Sequence, residues 1–581
     1  MKLTPIHAFG QRAFIIFLLL VTTGIIIITR LSYLQIHRAD FFLEKSKKNF
    51  LRYEPTAPLR GNIFDINGKF LATNRSVTSV YWRGTGNKKL NKEQQKTLEQ
   101  LLIALDLNPE SFDKSFIEST ERFAEKKVII EDASFDQLSK IAEQFSHNPN
   151  ITIESTFSRY YPYKMLASHT LGYLEHKNFD MIGIMGLEKV YNETLQGECG
   201  ITEKIQNSFG KNLHQKEIQE SQAGQDITIT IDAALQTIVE KIFPIDHSGS
   251  LIVMDSNTGA LHALLSRPDF DPNIFLKSID QETWKNLQEN RPFINRVFNA
   301  TYPPGSLFKL VTISAILETN LISPQSTWYC GGYSTLGSNR FGCARKEGHG
   351  RLTIAESIAR SCNVLFFEVG KKIDIDLLAK YAGHFGLGKP TNTIFKESLG
   401  LIPSRAWKKA TKRERWWTGE TLSAAIGQSY LLVTPIQIAR MIASIESGVL
   451  VTPHVIKTDD LKTEPLNIKS ETRSFLQETM RETVLDGTAV RLRRFLKHYN
   501  LCAKTSTAQT SSLSKRENGK EFMEHGWLAV NFSYKNMRPL TLIILLENVG
   551  TSREAITVAE QFFIAYKELM ELRIQKEKER L

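Results

Sequence analysis

Thr301-Tyr-Pro-Pro-Gly-Ser-Leu-Phe-Lys309 opens the stretch that decides how the rest of the chain is read. Pro303, Pro304 and Gly305 spell a rigid turn, after which Leu310, Val311, Ile313, Ile316 and Leu317 recur at helical spacing until Asn320. Ser306 therefore falls at or near a helix N-terminus, and Lys309, three positions on, shares its face. A serine hydroxyl attacks an acyl carbon only when its proton is removed. A lysine can remove it only when neutral, its pKa moved from about 10.4 towards about 7–8 by burial or cationic neighbours. Leu307, Phe308 and Leu310 supply apolar walls, and the Ser306 backbone N–H, free in a first turn, can help stabilise an oxyanion. The same four-residue pattern recurs at Ser208-Phe-Gly-Lys211 and Ser512-Leu-Ser-Lys515, but neither follows a Pro-Pro-Gly turn nor opens an apolar helix. Context singles out Ser306.

Two downstream stretches offer this serine its partners. Ser361-Cys-Asn363 follows a helix expected over 353–360 and precedes the apolar Val364-Leu-Phe-Phe367, on a short connection between buried elements. A second hydroxyl there can relay a proton, and an amide can hold a substrate carbonyl. Lys504-Thr-Ser-Thr507 continues Leu501-Cys-Ala503 as a strand facing a cleft. Lys504 and Thr505 can grip a carboxylate, and the Thr507 backbone N–H can complete an oxyanion hole with that of Ser306. Each stretch read alone is also an ordinary polar turn.

The 581 residues are 41% hydrophobic, enough for one small and one large folded domain or several small ones. Lys and Arg outnumber Asp and Glu by 73 to 62, a formal +11, with basic clusters at 405–415 and 491–498. No aromatic-interleaved motif accompanies them, so they read as solvated surface suited to an anionic envelope, with no nucleic acid as partner. Residues 13–29 carry no charge and are fenced by Arg12 and Arg30. At about 1.5 Å per residue they reach the lower limit for spanning a bilayer. No small-x-small cleavage site follows, which predicts an uncleaved signal anchor at 13–33 with residues 1–12 in the cytoplasm and the remainder outside it.

The fold class expected is α+β. A pedestal at 34–225 carries helices near 92–105 and 135–145. A second domain at 226–570 begins where alternating Ile residues in Gly224-Gln-Asp-Ile-Thr-Ile-Thr-Ile-Asp232 mark a strand, followed by a helix at 233–242. Leu251-Ile-Val-Met-Asp255 and residues 260–265 form a hairpin, and 525–531 and 540–547 are neighbouring strands, so helices should cover an antiparallel sheet. A closing helix at 558–572 leads to a charged, frayed tail at 571–581.

Taken together, Ser306-x-x-Lys309, Ser361-x-Asn363 and Lys504-Thr-Ser506 resemble the Ser-x-x-Lys, Ser-x-Asn and Lys-Thr-Gly motifs of the penicillin-recognising acyl-serine transferases, in the same order. More narrowly the chain resembles the class B penicillin-binding proteins. The likeness runs through Arg60-Gly61 with Asp65 and Asn67-Gly68, Gly186-Leu-Glu188, Met254-Asp255 with Thr258-Gly259 and Arg267-Pro-Asp-Phe-Asp-Pro-Asn273. Trp416-Trp-Thr-Gly-Glu-Thr421, Gly427-Gln-Ser-Tyr430 and Thr434-Pro-Ile-Gln437 resemble the elongation-type members. The resemblance implies a membrane-anchored peptidoglycan D,D-transpeptidase with a dimerisation pedestal. Ser306 would attack the D-Ala-D-Ala carbonyl of a stem peptide, Lys309 would take its proton, Ser361 would shuttle it, Asn363 would orient the peptide, and Lys504 with Thr505 would hold the carboxylate. β-Lactams would acylate the same serine. The implied partners are a polytopic glycan polymerase and the elongation or division machinery at the inner membrane. Catalysis calls for no cofactor. Ser506 departs from the family's glycine, which predicts altered substrate or β-lactam affinity and keeps open a rival reading, a scaffold that activates a polymerase without turning over. A β-lactamase or sensor lacks support, because no Glu-x-x-Leu-Asn element lies downstream of Asn363 and no cytoplasmic domain precedes residue 13.

Five cysteines remain: Cys199, Cys330, Cys343, Cys362 and Cys502. Cys330, Cys343, His349 and Cys362 supply the four soft ligands of a closed zinc site, and similar clusters occur in some elongation-type relatives. A Cys330–Cys343 disulfide and unpaired buried thiols are the alternatives.

Overall fold

A computed structural model describes residues 6–580 apart from 88, 110–111, 113, 124–125, 147, 178–179, 207–211, 278 and 511–518. All of Ser208-Phe-Gly-Lys211 and all of Ser512-Leu-Ser-Lys515 lie outside the described residues. The chain forms two compact units, Met1–Leu59 with Ser76–Phe157 and Gly197–Ala223, and Arg60–Arg75 with Ser158–Gln196 and Gly224–Leu581.

In the first unit, helix α1 (Ile6–Ser32) carries the apolar segment, and Arg12–His37 is long and apolar enough to cross a membrane. Leu51–Thr56, Gly200–Gln206 and Asn212–Gln219 form a three-stranded antiparallel sheet. The expected helices are Lys92–Ala104 and Phe135–Phe145, each started by a capping box (Asn91 with Gln94, Ser134 with Gln137) that satisfies orphan N–H groups. Their apolar faces meet Val80, Trp82 and Ile117 in a small separate core.

The second unit is built on one sheet. Helix α2 (Ala233–Ile242) is capped by Asp232 and precedes strands β1 (Gly249–Asp255) and β2 (Leu261–Arg267). Helices α3 (Lys309–Glu318), α4 (Val364–Gly370), α5 (Pro435–Ser447) and α6 (Ser470–Asp486) follow. Strands β3 (Tyr499–Ala508), β4 (His525–Tyr534) and β5 (Leu540–Leu546) then lead to α7 (Arg553–Arg580). The sheet order is β2-β1-β5-β4-β3, antiparallel throughout. Every residue of β1 and β5 is buried, because α2 and α7 cover one face and α3 and α5 lie in the core on the other. Each fully buried Val, Leu or Ile contributes about 1.5–3 kcal/mol.

Two features differ from expectation. Residues 571–580 are not a frayed tail. They continue α7, with Lys567–Glu571 and Gln575–Glu579 paired at i,i+4 and Arg573 reaching Asp232 at 2.5 Å. The segments Arg60–Arg75 and Ser158–Gln196 belong to the second unit, and a buried ion cluster ties the two to each other. Glu188 accepts from Arg60 Nε at 2.7 Å, Arg159 Nε at 2.8 Å and Tyr161 OH at 3.0 Å, and Arg159 also donates to Gly61 O at 2.7 Å. Burial alone would raise the Glu188 carboxyl, but the two guanidiniums hold it below its ordinary value.

Candidate active site

The Pro-Pro-Gly turn does not run straight into an α-helix. Gly305–Leu307 make a single 3₁₀ turn, and α3 starts at Lys309. Gly305 sits at φ +51°, a left-handed conformation that a side chain disfavours. Its N–H donates to Gly427 O at 2.9 Å, while Leu307 and Phe308 N–H donate to Pro304 O and Gly305 O. Ser306 is half-buried at the open side of this turn, and every residue from Lys309 to Leu317 is buried. Helix α3 is therefore a central helix, apolar nearly all round, that carries one fully buried lysine.

Sequence-distant groups surround that lysine. Lys309 Nζ donates to Asn363 Oδ1 at 2.7 Å, Ser361 O at 2.9 Å and Ser361 Oγ at 3.2 Å. Burial pulls its ammonium from the ordinary lysine range down to about 8, against a smaller opposing pull from Cys362 and Cys343. Among the described hydrogen bonds, none joins Lys309 directly to Ser306. The Ser361 hydroxyl stands between them and donates to Ser306 Oγ at 2.9 Å. From β3, Lys504 Nζ donates to the same Ser361 Oγ at 3.4 Å. One hydroxyl thus uses its donor and both acceptor positions. Lys504 is fully buried, and burial followed by the charge of Lys309 holds its pKa well below the usual range. Ser361 itself adopts φ +53°, a strained backbone for a non-glycine residue, imposed where the chain leaves the preceding helix and enters α4.

Thr505 is buried and donates to Thr488 Oγ1 at 2.6 Å, whereas Thr507 is exposed and accepts from Ser552 N–H at 3.3 Å. The Ser506 side chain is buried, and its hydroxyl donates to Pro304 O at 2.9 Å. It packs against the Pro-Pro-Gly turn that carries Ser306. Sequence reading had no separate reason to place Thr488, Trp527 or Gly427 at this site. Gly427 lies at φ +78°, and a Cβ there would meet Gly305 O at 2.0 Å, so the close approach of the two turns requires glycine.

Cys330, Cys343, His349 and Cys362 converge beside this centre, their ligand atoms all within 4.8 Å of one another. His349 Nδ1 lies 3.6 Å from both Cys330 Sγ and Cys343 Sγ, and the Asn363 N–H donates to Cys343 Sγ at 3.4 Å. All five cysteines are free thiols, so the Cys330–Cys343 disulfide is not formed. A hydrogen bond from Cys362 holds the Cys343 thiol well below its ordinary range and raises Cys362 in return. Three sulfurs and one imidazole at this spacing fit a tetrahedral soft metal ion, and the cluster can hold one.

Arranged this way, a hydroxyl in a positively charged, partly desolvated cleft, linked through a second hydroxyl to a lysine of lowered pKa, can carry out acyl transfer. Comparison with known proteins agrees with that chemistry. Residues 249–571 match the penicillin binding protein transpeptidase domain and residues 55–229 the penicillin-binding protein dimerisation domain. The chain is 29% identical to the peptidoglycan D,D-transpeptidase MrdA of Acinetobacter baumannii, covering 93% of this chain and 85% of that one. It is 28% identical to the MrdA of Escherichia coli K12, covering 95% and 93%. Its fold is similar to that of penicillin-binding protein 2 in a complex with MreC from Helicobacter pylori, at a TM-score of 0.76 and 27% identity over 89% of this chain and 99% of that one. It is similar too to a chain from a peptidoglycan synthase complex that coordinates polymerisation and crosslinking, at a TM-score of 0.71 and 28% identity over 96% and 98%. These relatives do not favour the scaffold reading. The chain belongs to the penicillin-binding protein transpeptidase family and is a serine-type peptidoglycan D,D-transpeptidase of the penicillin-binding protein 2 kind.

Proposed function

We propose that Ser306 is the acyl acceptor, and that its proton leaves through Ser361 to Lys309. The observation that carries this reading is the continuous path Ser306–Ser361–Lys309, with contacts of 2.9 and 3.2 Å. With Lys309 neutral, both hydroxyls reverse. Ser306 donates to Ser361, Ser361 donates to Lys309, and Ser306 Oγ bonds to the carbonyl carbon of the penultimate D-Ala. Collapse of the tetrahedral intermediate breaks the bond to the terminal D-Ala, whose amine takes the proton back along the same path. The amine of a neighbouring stem peptide then resolves the acyl-enzyme and forms the crosslink. The backbone N–H groups of Ser306 and Thr507 stabilise the oxyanion, Asn363 orients the bound peptide, and Lys504 with Thr505 holds its carboxylate, whose charge favours the protonated form of Lys504.

The division of labour follows the chain: a cytoplasmic tail (1–12), an inner-membrane anchor (13–33), a pedestal (34–225) and the transpeptidase domain (226–570) outside the cytoplasm. The relatives solved with MreC and in a peptidoglycan synthase complex support partnership with the elongation machinery and a glycan polymerase. A zinc ion held by Cys330, Cys343, His349 and Cys362 would brace the Ser361–Asn363 connection, a structural role outside the chemistry. Intact-mass measurement after exposure to a β-lactam tests the nucleophile. One adduct is expected on the unchanged chain and none on Ser306→Ala, and an adduct mapped to another residue overturns the assignment.

A further inference from the structure

Ser506 lies on β3 two residues beyond Lys504, and the two-residue period of a strand puts both side chains on one face. From that face Lys504 reaches Ser361, and Ser506 reaches the turn of the nucleophile, donating to Pro304 O at 2.9 Å. Trp527 on β4 is the cross-strand partner of Ser506, and its indole N–H donates to Pro303 O at 3.2 Å. One cross-strand pair therefore holds two consecutive carbonyls of the turn that ends in Ser306. This matters because Pro303 and Pro304 have no N–H, so each of these two residues can be tethered only through its own carbonyl. Leu307 N–H also donates to Pro304 O, at 3.3 Å, and Gly305 N–H is tethered to Gly427 O at 2.9 Å. A Cβ at position 305 would lie 2.3 Å from Ser506 Oγ, so the hydroxyl fills the space that glycine leaves.

We propose that Ser506 is a positioning residue for acyl transfer. Its hydroxyl fixes the Pro304–Gly305 peptide and so aims Ser306 Oγ at the substrate carbonyl. The glycine of the Lys-Thr-Gly pattern offers no such bond. The proposal rests on Ser306 being the nucleophile, and the test separates the two claims.

Acylation of the full-length chain by a fluorescent penicillin is followed over time at increasing concentrations. Ser506→Ala is expected to lower the first-order rate constant at saturation roughly fivefold, the size of one net hydrogen bond. The half-saturating concentration should change by less than about twofold, because the hydroxyl is engaged with the Pro304 carbonyl. Ser506→Thr, which keeps the hydroxyl, is expected to recover most of the rate. An unfolded fraction would reduce the labelled amount but not the rate constant of the folded remainder, so the rate constant decides. A Ser506→Ala rate constant equal to that of the unchanged chain overturns the proposal, as does a Ser506→Thr chain no faster than Ser506→Ala. If the unchanged chain takes no label on Ser306, the nucleophile assignment fails, and the proposal fails with it.

Discussion

Ser361 Oγ donates to Ser306 Oγ at 2.9 Å and accepts from Lys309 Nζ at 3.2 Å, so in the proposed mechanism the lysine reaches Ser306 through a hydroxyl. Ser361→Ala removes that link and is expected to slow acylation about 10²-fold, within the range of general acid–base contributions. Stopped-flow labelling with a fluorescent penicillin measures it. A loss of less than about threefold would mean that Lys309 deprotonates Ser306 without the relay.

The Lys309 ammonium, lowered by burial to about 8, sets the pH dependence. The reactive form is the free amine, so acylation should rise about tenfold per pH unit below that value and level off above it. At pH 7 about a tenth of the chains would carry neutral Lys309. Lys309→Arg keeps the charge at every pH and should show no such rise. A rate profile from pH 6 to 9 distinguishes the two chains.

Removing the carboxylate of Glu188 leaves Arg60 and Arg159 buried without a counter-ion. Glu188→Ala is expected to destabilise the second unit by about 3–5 kcal/mol, as for other broken buried pairs. Chemical denaturation followed by tryptophan fluorescence reads this directly. A loss below about 1 kcal/mol would place the strength of that joint in its apolar contacts.

The soft-ligand cluster predicts about one zinc ion per chain by elemental analysis, reduced to background in Cys343→Ser. Because the Asn363 N–H donates to Cys343 Sγ, the same variant should lower the melting temperature and weaken β-lactam labelling together. A fully metal-free preparation with unchanged melting and labelling would return the cluster to the status of buried thiols.

Much of this architecture was legible in the residues. The Pro-Pro-Gly turn and the apolar spacing behind it announced the helix that follows Ser306, and apolar runs bounded by turn residues marked strands of the sheet. One local reading went astray for a physical reason. The last ten or so residues looked like a solvated tail, but i,i+4 pairing and the Arg573–Asp232 contact extend α7 through them. The contact of Ser506 with the Pro304 carbonyl could not be read from the chain, because it depends on the strand period that turns Ser506 onto the Pro-Pro-Gly turn.

By itself, the order of residues determined which groups are present: a hydroxyl and an amine three positions apart, a second hydroxyl with an amide, a lysine on a strand, and four soft ligands. Only tertiary structure decided that Ser361, fifty-two positions from Lys309, would stand between that lysine and Ser306. It alone also lowered the affinity of Lys309 for its proton. Both outcomes depend on which distant segments exclude water from one small volume, and desolvation there is a property of the packed chain rather than of any stretch within it.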